Sequence, residues 1–316
     1  MKLKKSKVLF ILTFVVLIVA LGVFFKIKSD DEKRHTIPIA MALDDGYIYP
    51  TIVAITSMME NKKPETRYDY YVMHPGEFKE ENKEKLKSLE KKYKNCKINL
   101  IDMKEKHKDS HSDTRITTAA YYRLSLSEVV PYLDKIIWLD GDTLTFSDLK
   151  EMYNIDMQGY YYKGILDEGD RKFLLVKEND HPICSGVMLV NLSELRKDDM
   201  VNKISDFIKE NNDKLCQHDQ SVVNALCYEK VGVLPAKYGI FNYHPSIQMA
   251  EKYVAMFNCK EKYSAQEVLE AYKKPVVLHC ISKPWKSKEV YGFGEWWSYA
   301  KKTDYYDEIV KAYPIN

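Results

Sequence analysis

Short apolar runs alternate with helical stretches through the first half of the chain's main body, and this alternation limits what it can fold into more than any other feature. Residues 37–43, 68–74, 97–101 and 135–139 have the length and the β-branched or aromatic content of buried strands. A helical stretch over about 50–61 separates the first two. Between the second pair, Leu86, Leu89 and Tyr93 mark one apolar face of a charged helix, whose Lys and Glu residues are its solvated side. Such alternation predicts an α/β domain with a mostly parallel central sheet flanked by helices. In open sheets of this kind ligands bind beyond the carboxyl ends of the strands, so the residues that follow each strand are where chemistry is sought.

Composition narrows the function. The 316 residues carry 48 Lys+Arg against 46 Asp+Glu, a net +2 that gives no reason to expect a nucleic-acid partner. With 45% hydrophobic and 30% charged residues the chain is that of a folded protein, not a disordered one. The 24 tyrosines follow no fixed period, which excludes a solenoid or propeller repeat. Cys96, Cys184, Cys216, Cys227, Cys259 and Cys280 are too scattered for a zinc pair and too sparse for a disulfide-stapled fold, so they read as buried thiols rather than bridges. No H-E-x-x-H, P-loop or G-x-G-x-x-G string is present, and zinc protease, P-loop ATPase and Rossmann oxidoreductase lose their usual support.

Ahead of the body, residues 8–25 read V-L-F-I-L-T-F-V-V-L-I-V-A-L-G-V-F-F, with Thr13 as the only clearly polar side chain. At about 1.5 Å per helical residue this nearly covers a hydrocarbon core of about 30 Å. A cleaved signal peptide has a shorter apolar region ending on small residues; here Ala20 and Gly22 are followed by bulky Phe24 and Phe25. The expected organisation is a cytoplasmic tail (1–7), a transmembrane signal-anchor helix (8–27), a short stem (28–36) and one globular domain (37–316). Lys2, Lys4, Lys5 and Lys7 outnumber Lys26 and Lys28, so the positive-inside rule predicts a type II orientation with the body on the luminal or external side.

Two strand ends carry acidic residues. The first strand runs into Asp44-Asp45-Gly46-Tyr47, and the fourth, I-I-W-L, runs into Asp140-Gly141-Asp142. Two carboxylates separated by one small residue fit a hard divalent cation such as Mg²⁺ or Mn²⁺ carrying a diphosphate; they also fit an ordinary acidic turn. Far along the chain Pro275-Val276-Val277-Leu278 leads into His279-Cys280-Ile281-Ser282-Lys283-Pro284-Trp285. A histidine at a strand end is either a packed residue or a ligand that favours Mn²⁺ in a carboxylate site, and Lys283 is placed to neutralise a leaving phosphate.

Taken in order, A-L-D-D-G-Y, I-T-T-A-A-Y-Y-R-L, I-I-W-L-D-G-D-T-L, C-S-G-V-M-L-V-N-L, Q-H-D-Q-S-V-V-N, H-C-I-S-K-P-W and the closing W-W-S-Y-A-K-K-T-D-Y-Y resemble glycosyltransferase family 8 from about Ile37 onward. These are retaining nucleotide-sugar transferases with a single GT-A domain. The resemblance implies that Asp44 and Tyr47 hold the uracil ring and that Arg123 contacts the diphosphate or donor sugar. It implies that Asp140, Asp142 and His279 coordinate Mn²⁺ (or Mg²⁺) and that Lys283 binds phosphate. Asp219 would bind sugar hydroxyls and Gln220 would lie beneath the anomeric carbon, while Asp167 would face the acceptor. Without the motif, Arg123 reads as a surface helix residue and Asp219 as a helix N-cap.

The implied activity is metal-assisted transfer of a hexose from a UDP-sugar to a glycan or glycolipid, with the acceptor hydroxyl attacking on the leaving-group face. Because UDP-sugars are made in the cytosol, an outward-facing body fits a Golgi or other secretory-pathway membrane supplied by transporters. Three positions depart from the family pattern: Cys184 replaces an Asn that contacts the donor sugar, the His279 to Lys283 stretch is short and lacks a Gly, and Gly46 replaces an Asn. These departures motivate the alternative of a catalytically weak nucleotide- or glycan-binding relative. A self-glycosylating primer is a further variant suggested by the tyrosine content. Asn191-Leu192-Ser193 matches a glycosylation sequon but reads as a buried structural Asn, and Ser264-Ala265-Gln266-Glu267 reads as a capping box.

Overall fold

The computed structural model describes residues 35–104, 106–110, 117–167, 175–176, 181–256 and 262–314. The expected tail, membrane helix and most of the stem lie outside the described residues; within them, no helix is long and apolar enough to cross a membrane.

The chain opens with β1 (Thr36–Ala42), the helix Ile48–Asn61, β2 (Arg67–His74), the helix Glu80–Lys92, β3 (Cys96–Asp102) and β4 (Lys135–Leu139). These match the sequence expectation to within about two residues at each end. β5 (Thr143–Thr145), β6 (Tyr162–Leu166), β7 (Ile183–Asn191), β8 (Val231–Val233), β9 (Tyr238–Phe241) and β10 (Val277–His279) complete the strands. The seven-stranded sheet runs β3-β2-β1-β4-β7-β6-β8, and β5-β10-β9 form a small second sheet. Pairing in the large sheet is parallel except where β7 lies antiparallel to β4 and β6, so the expected mostly parallel sheet is present with one reversed strand.

Side-chain alternation explains the layers. Ile37, Ile39, Met41, Tyr68, Tyr70, Ile137 and Leu139 face the core shared with helices Ile48–Asn61 and Glu80–Lys92, which insert Ile52, Ile55, Leu86 and Leu89. The intervening Ala40, Tyr71, Met73, Ile136 and Trp138 face the opposite core, closed by helices Leu192–Lys197, Met200–Asn211 and His218–Leu226. A third core holds the small sheet against helices Ala265–Lys273 and Phe293–Ala300, through Val268, Tyr272, Trp296 and Trp297. Tyrosines are part of this packing: Tyr68, Tyr70, Tyr121, Tyr122, Tyr162, Tyr253 and Tyr272 are among the largest fully buried side chains, which accounts for much of the tyrosine content without a priming role.

Cys96, Cys184, Cys216, Cys227 and Cys280 are free thiols, Cys216 exposed and the rest buried; Cys259 lies outside the described residues. Ser264 and Glu267 form the expected capping box. Asn191 is buried, accepts from the Glu194 N–H at 3.2 Å to cap helix Leu192–Lys197, and donates to Met157 O at 3.2 Å. Replacing it leaves the Glu194 N–H without its cap and removes one of the two donors to Met157 O, so Asn191→Ala should lower unfolding free energy by about 1–2 kcal/mol in urea titration. An unchanged midpoint would show that the cap is dispensable.

Candidate active site

Asp44, Tyr47, Arg123, Asp140, Asp142, Asp219, Gln220, His279 and Lys283 line one cavity of about 350 Å³ at the carboxyl end of β1 and β4. The fold gathers them from four directions. Asp44 and Tyr47 follow β1 and Asp140 follows β4, as the strand-end rule predicts. Asp142 immediately precedes β5, and β5 pairs antiparallel with β10 so that Thr143 stands opposite His279. The second sheet therefore brings the late histidine beside the aspartates, and the Cys280 N–H donating to Asp142 O at 2.9 Å continues that pairing past the strand end. β7, running the other way, brings its first residues to the same place: the Asp140 N–H donates to Gly186 O at 2.8 Å.

Asp140, Asp142 and His279 each offer one ligand atom, all within 4.8 Å of one another. His279 Nε2 is 3.2 Å from Asp142 Oδ1 and 3.9 Å from Asp140 Oδ2. Asp142 Oδ1 is buried without a well-directed hydrogen bond. A Cβ at Gly186 would overlap the His279 ring and lie 2.8 Å from Asp140 Oδ2, so the glycine keeps open the space that faces these atoms. Two carboxylates and an imidazole, one oxygen unsatisfied and the approach kept clear, fit a divalent cation of the Mn²⁺ or Mg²⁺ type.

The other side chains orient this cluster. Arg123 is buried, not a surface residue. Its Nη2 lies 2.9 Å from Asp140 Oδ1, its Nε 3.0 Å from Asp219 Oδ2 and 2.9 Å from Ala120 O, and Nη1 donates to Ser185 O. Asp219 is not an N-cap either: Gln217 holds that position of helix His218–Leu226, and the Asp219 carboxylate faces Arg123. Lys283 forms an ion pair with Asp142 Oδ2 and also donates to Cys280 O at 3.2 Å. The short loop that carries it is clamped by buried Asn242, whose side chain donates to Ser282 O at 2.7 Å and accepts from the Ser282 N–H at 3.1 Å.

Burial disfavours charge throughout the cluster, and the neighbours decide each outcome. For Asp142 burial acts upward, but His279 and Lys283 outweigh it and hold the carboxyl well below the usual range. For Asp140 and Asp219 burial prevails over Arg123, and both lie above the ordinary aspartate range. Burial opposes the His279 imidazolium, yet the contacts with Cys184 and Asp142 carry it well above the ordinary imidazole range. Lys283 is raised by Asp142 against the effect of burial.

On the helix side of the cavity, Gln220 Oε1 accepts from the Ser185 N–H at 3.0 Å and its Nε2 donates to Asp167 Oδ2 at 3.2 Å. Asp167 therefore adjoins Gln220. Cys184 is buried with Sγ 3.6 Å from His279 Nδ1, and burial pushes the thiol pKa up, so it stays neutral. After β1, Asp44 Oδ1 accepts from the Gly46 N–H at 2.9 Å, and Tyr47 stands edge-on to Trp285 at 6.1 Å. Burial and then Asp142 push the Tyr47 phenol up to about 12, so it remains protonated.

Gly186, Asn242 and Trp138 also belong to the site but were not singled out in the sequence. A glycine inside the apolar run of β7 is a sign of close backbone approach that could have marked Gly186; nothing local marked Asn242. A larger cavity of about 820 Å³ between β8 and helix Ala265–Lys273 holds none of the nine residues, so cavity size alone does not locate the chemistry.

With this geometry in place, comparison with known proteins defines the class. A profile for glycosyl transferase family 8 matches residues 38–289. The chain belongs to glycosyltransferase family 8 and has its α/β GT-A fold. Among its relatives, General stress protein A of Bacillus subtilis is 25% identical over 267 residues, covering 81% of this chain and 89% of that one. A lipopolysaccharide 1,2-glucosyltransferase of Escherichia coli is 24% identical over 294 residues, covering 90% and 80%. The crystal structure of the galactosyltransferase LgtC with donor and acceptor sugar analogues superimposes with a TM-score of 0.69 at 22% identity, over 85% of this chain and 96% of that one.

The Gly186 contact provides a direct check on the site. Gly186→Ala places a methyl group against His279 and Asp140 Oδ2, so titration calorimetry should show Mn²⁺ affinity at least about tenfold weaker in a protein that still melts cooperatively. Equal affinity would mean that the three ligand atoms do not face the space this glycine leaves.

Proposed function

We propose that this glycosyltransferase transfers a hexose from a UDP-sugar to a glycan or glycolipid hydroxyl with retention of anomeric configuration. The observation that carries the reading is the convergence of nine of the ten implied residues on one cavity, with the tenth, Asp167, bonded to Gln220. Asp140, Asp142 and His279 would hold Mn²⁺ (or Mg²⁺), which when bound supplies positive charge to the donor diphosphate. Lys283 is placed to shift from Asp142 to a phosphate oxygen, adding a cation where negative charge develops as the leaving group departs. Asp44 and Tyr47 would hold the base, and Asp219 the sugar hydroxyls.

Retention by double displacement needs a nucleophile below the anomeric carbon. Gln220 is an amide, and its oxygen already accepts from the Ser185 N–H. We therefore favour the front-face route: the bond from C1 to the β-phosphate oxygen breaks with its electron pair leaving on UDP. The acceptor oxygen then bonds to C1 on the same face, and its proton passes to the departing phosphate oxygen. A catalytically weak binding protein is the lesser reading, because Cys184 and the short loop leave the acidic cluster and its cations in place.

UDP release by the 37–316 body across a panel of UDP-sugars tests the reading. Turnover with one donor should require Mn²⁺ or Mg²⁺, stop with EDTA and fall at least about 10³-fold in Asp142→Ala, as expected when a main charge-stabilising element is lost. Metal-independent turnover, or full activity in the variant, would reject it. The Golgi-type placement rests on residues 8–25 and the flanking lysines. With the complete chain in sealed vesicles of that membrane, the body should resist external protease; digestion without detergent would reverse the topology.

A further inference from the structure

We propose that Trp138 is a positioning residue that restricts Asp140 to a single metal-facing oxygen. The proposal rests on the metal-assisted reading above. Trp138 lies two residues before Asp140 at the end of β4, so their side chains leave the same face of the strand. Its indole Nε1–H donates to Asp140 Oδ1 at 2.9 Å. The same oxygen receives Arg123 Nη2 at 2.9 Å, and the Arg123 guanidinium lies over the Trp138 ring at 4.4 Å.

Asp140 Oδ1 therefore has two donors, while Oδ2 is the atom turned toward His279 and the space beside Gly186. A carboxylate held in this way can ligate through one oxygen only. The aromatic ring braces Arg123 and the indole N–H orients Asp140, so one side chain fixes both partners of a buried ion pair. Tryptophan is the side chain that supplies both functions here, since phenylalanine has the ring without a donor at that edge. Partners that orient a metal ligand typically change metal affinity about 10–100-fold when removed. A single available oxygen also disfavours Ca²⁺, which readily takes bidentate carboxylates, relative to Mn²⁺.

The test compares wild type, Trp138→Phe, Trp138→Tyr and Asp142→Ala by titration calorimetry with Mn²⁺ and then Ca²⁺, each with and without UDP, alongside thermal melts. Two aromatic replacements are used because Trp138 is only 1% exposed and one of them could unfold. In whichever variant folds, Mn²⁺ binding should weaken about 10–100-fold and the preference for Mn²⁺ over Ca²⁺ should narrow. A lower melting temperature with unchanged Mn²⁺ affinity and preference would mean that Trp138 only fills the core, and would overturn the proposal while leaving the functional reading intact. Failure of the wild type to bind Mn²⁺ in the presence of UDP would overturn both. Wild-type binding that is lost in Asp142→Ala but unaltered in the folded Trp138 variant rejects this inference alone.

Discussion

A buried guanidinium must be paired, and Arg123 is paired in four directions. It meets Asp140 at the end of β4, Asp219 in helix His218–Leu226, the Ser185 carbonyl in β7 and the Ala120 carbonyl in its own segment. Removing one member of such a cluster leaves a charge without compensation, typically at a cost of about 3–5 kcal/mol. The arrangement is thus locked by electrostatics that apolar packing alone would not supply. It holds the Asp140 and Asp219 carboxylates close together at the cavity wall. The two helix layers and the long central sheet keep that charge from water while leaving Asp140 about a quarter exposed, at 27%, to the cavity.

The positive side of the site has a different construction. Lys283 and His279 come from the end of the chain, yet both contact Asp142 through the register of β5 against β10 and the Asn242 clamp on the loop that follows. The short loop still delivers its lysine to the cluster. Cys184 has not left a gap either. Its thiol lies against the His279 ring and keeps the histidine packed.

Much of this was legible in the sequence because it depends on local rules. Apolar runs marked β1 to β4, and carboxylates directly after β1 and β4 marked the ligand edge. The reversed β7 was not legible, since its nine residues are buried on both faces and a continuous apolar run carries no direction. Nor was the three-residue strand β5, which is too short for periodicity although its pairing with β10 brings Asp142 beside His279. Arg123 and Asp219 show the limit from the other side. Helix position alone suggested a surface residue and a cap, whereas each is buried because the other neutralises it. The side chain of Trp138 looked like ordinary strand packing, and only its neighbours reveal a donor aimed at Asp140.

The central claim is that Asp140, Asp142 and His279 form one cation site serving a nucleotide diphosphate. Anomalous scattering from crystals of the 37–316 body grown with Mn²⁺ and UDP tests it most directly. The account predicts one manganese peak within ligating distance of Asp140 Oδ2, Asp142 Oδ1 and His279 Nε2, with the diphosphate on its open side. UDP bound in the cavity with manganese absent, or held by other residues, would contradict it.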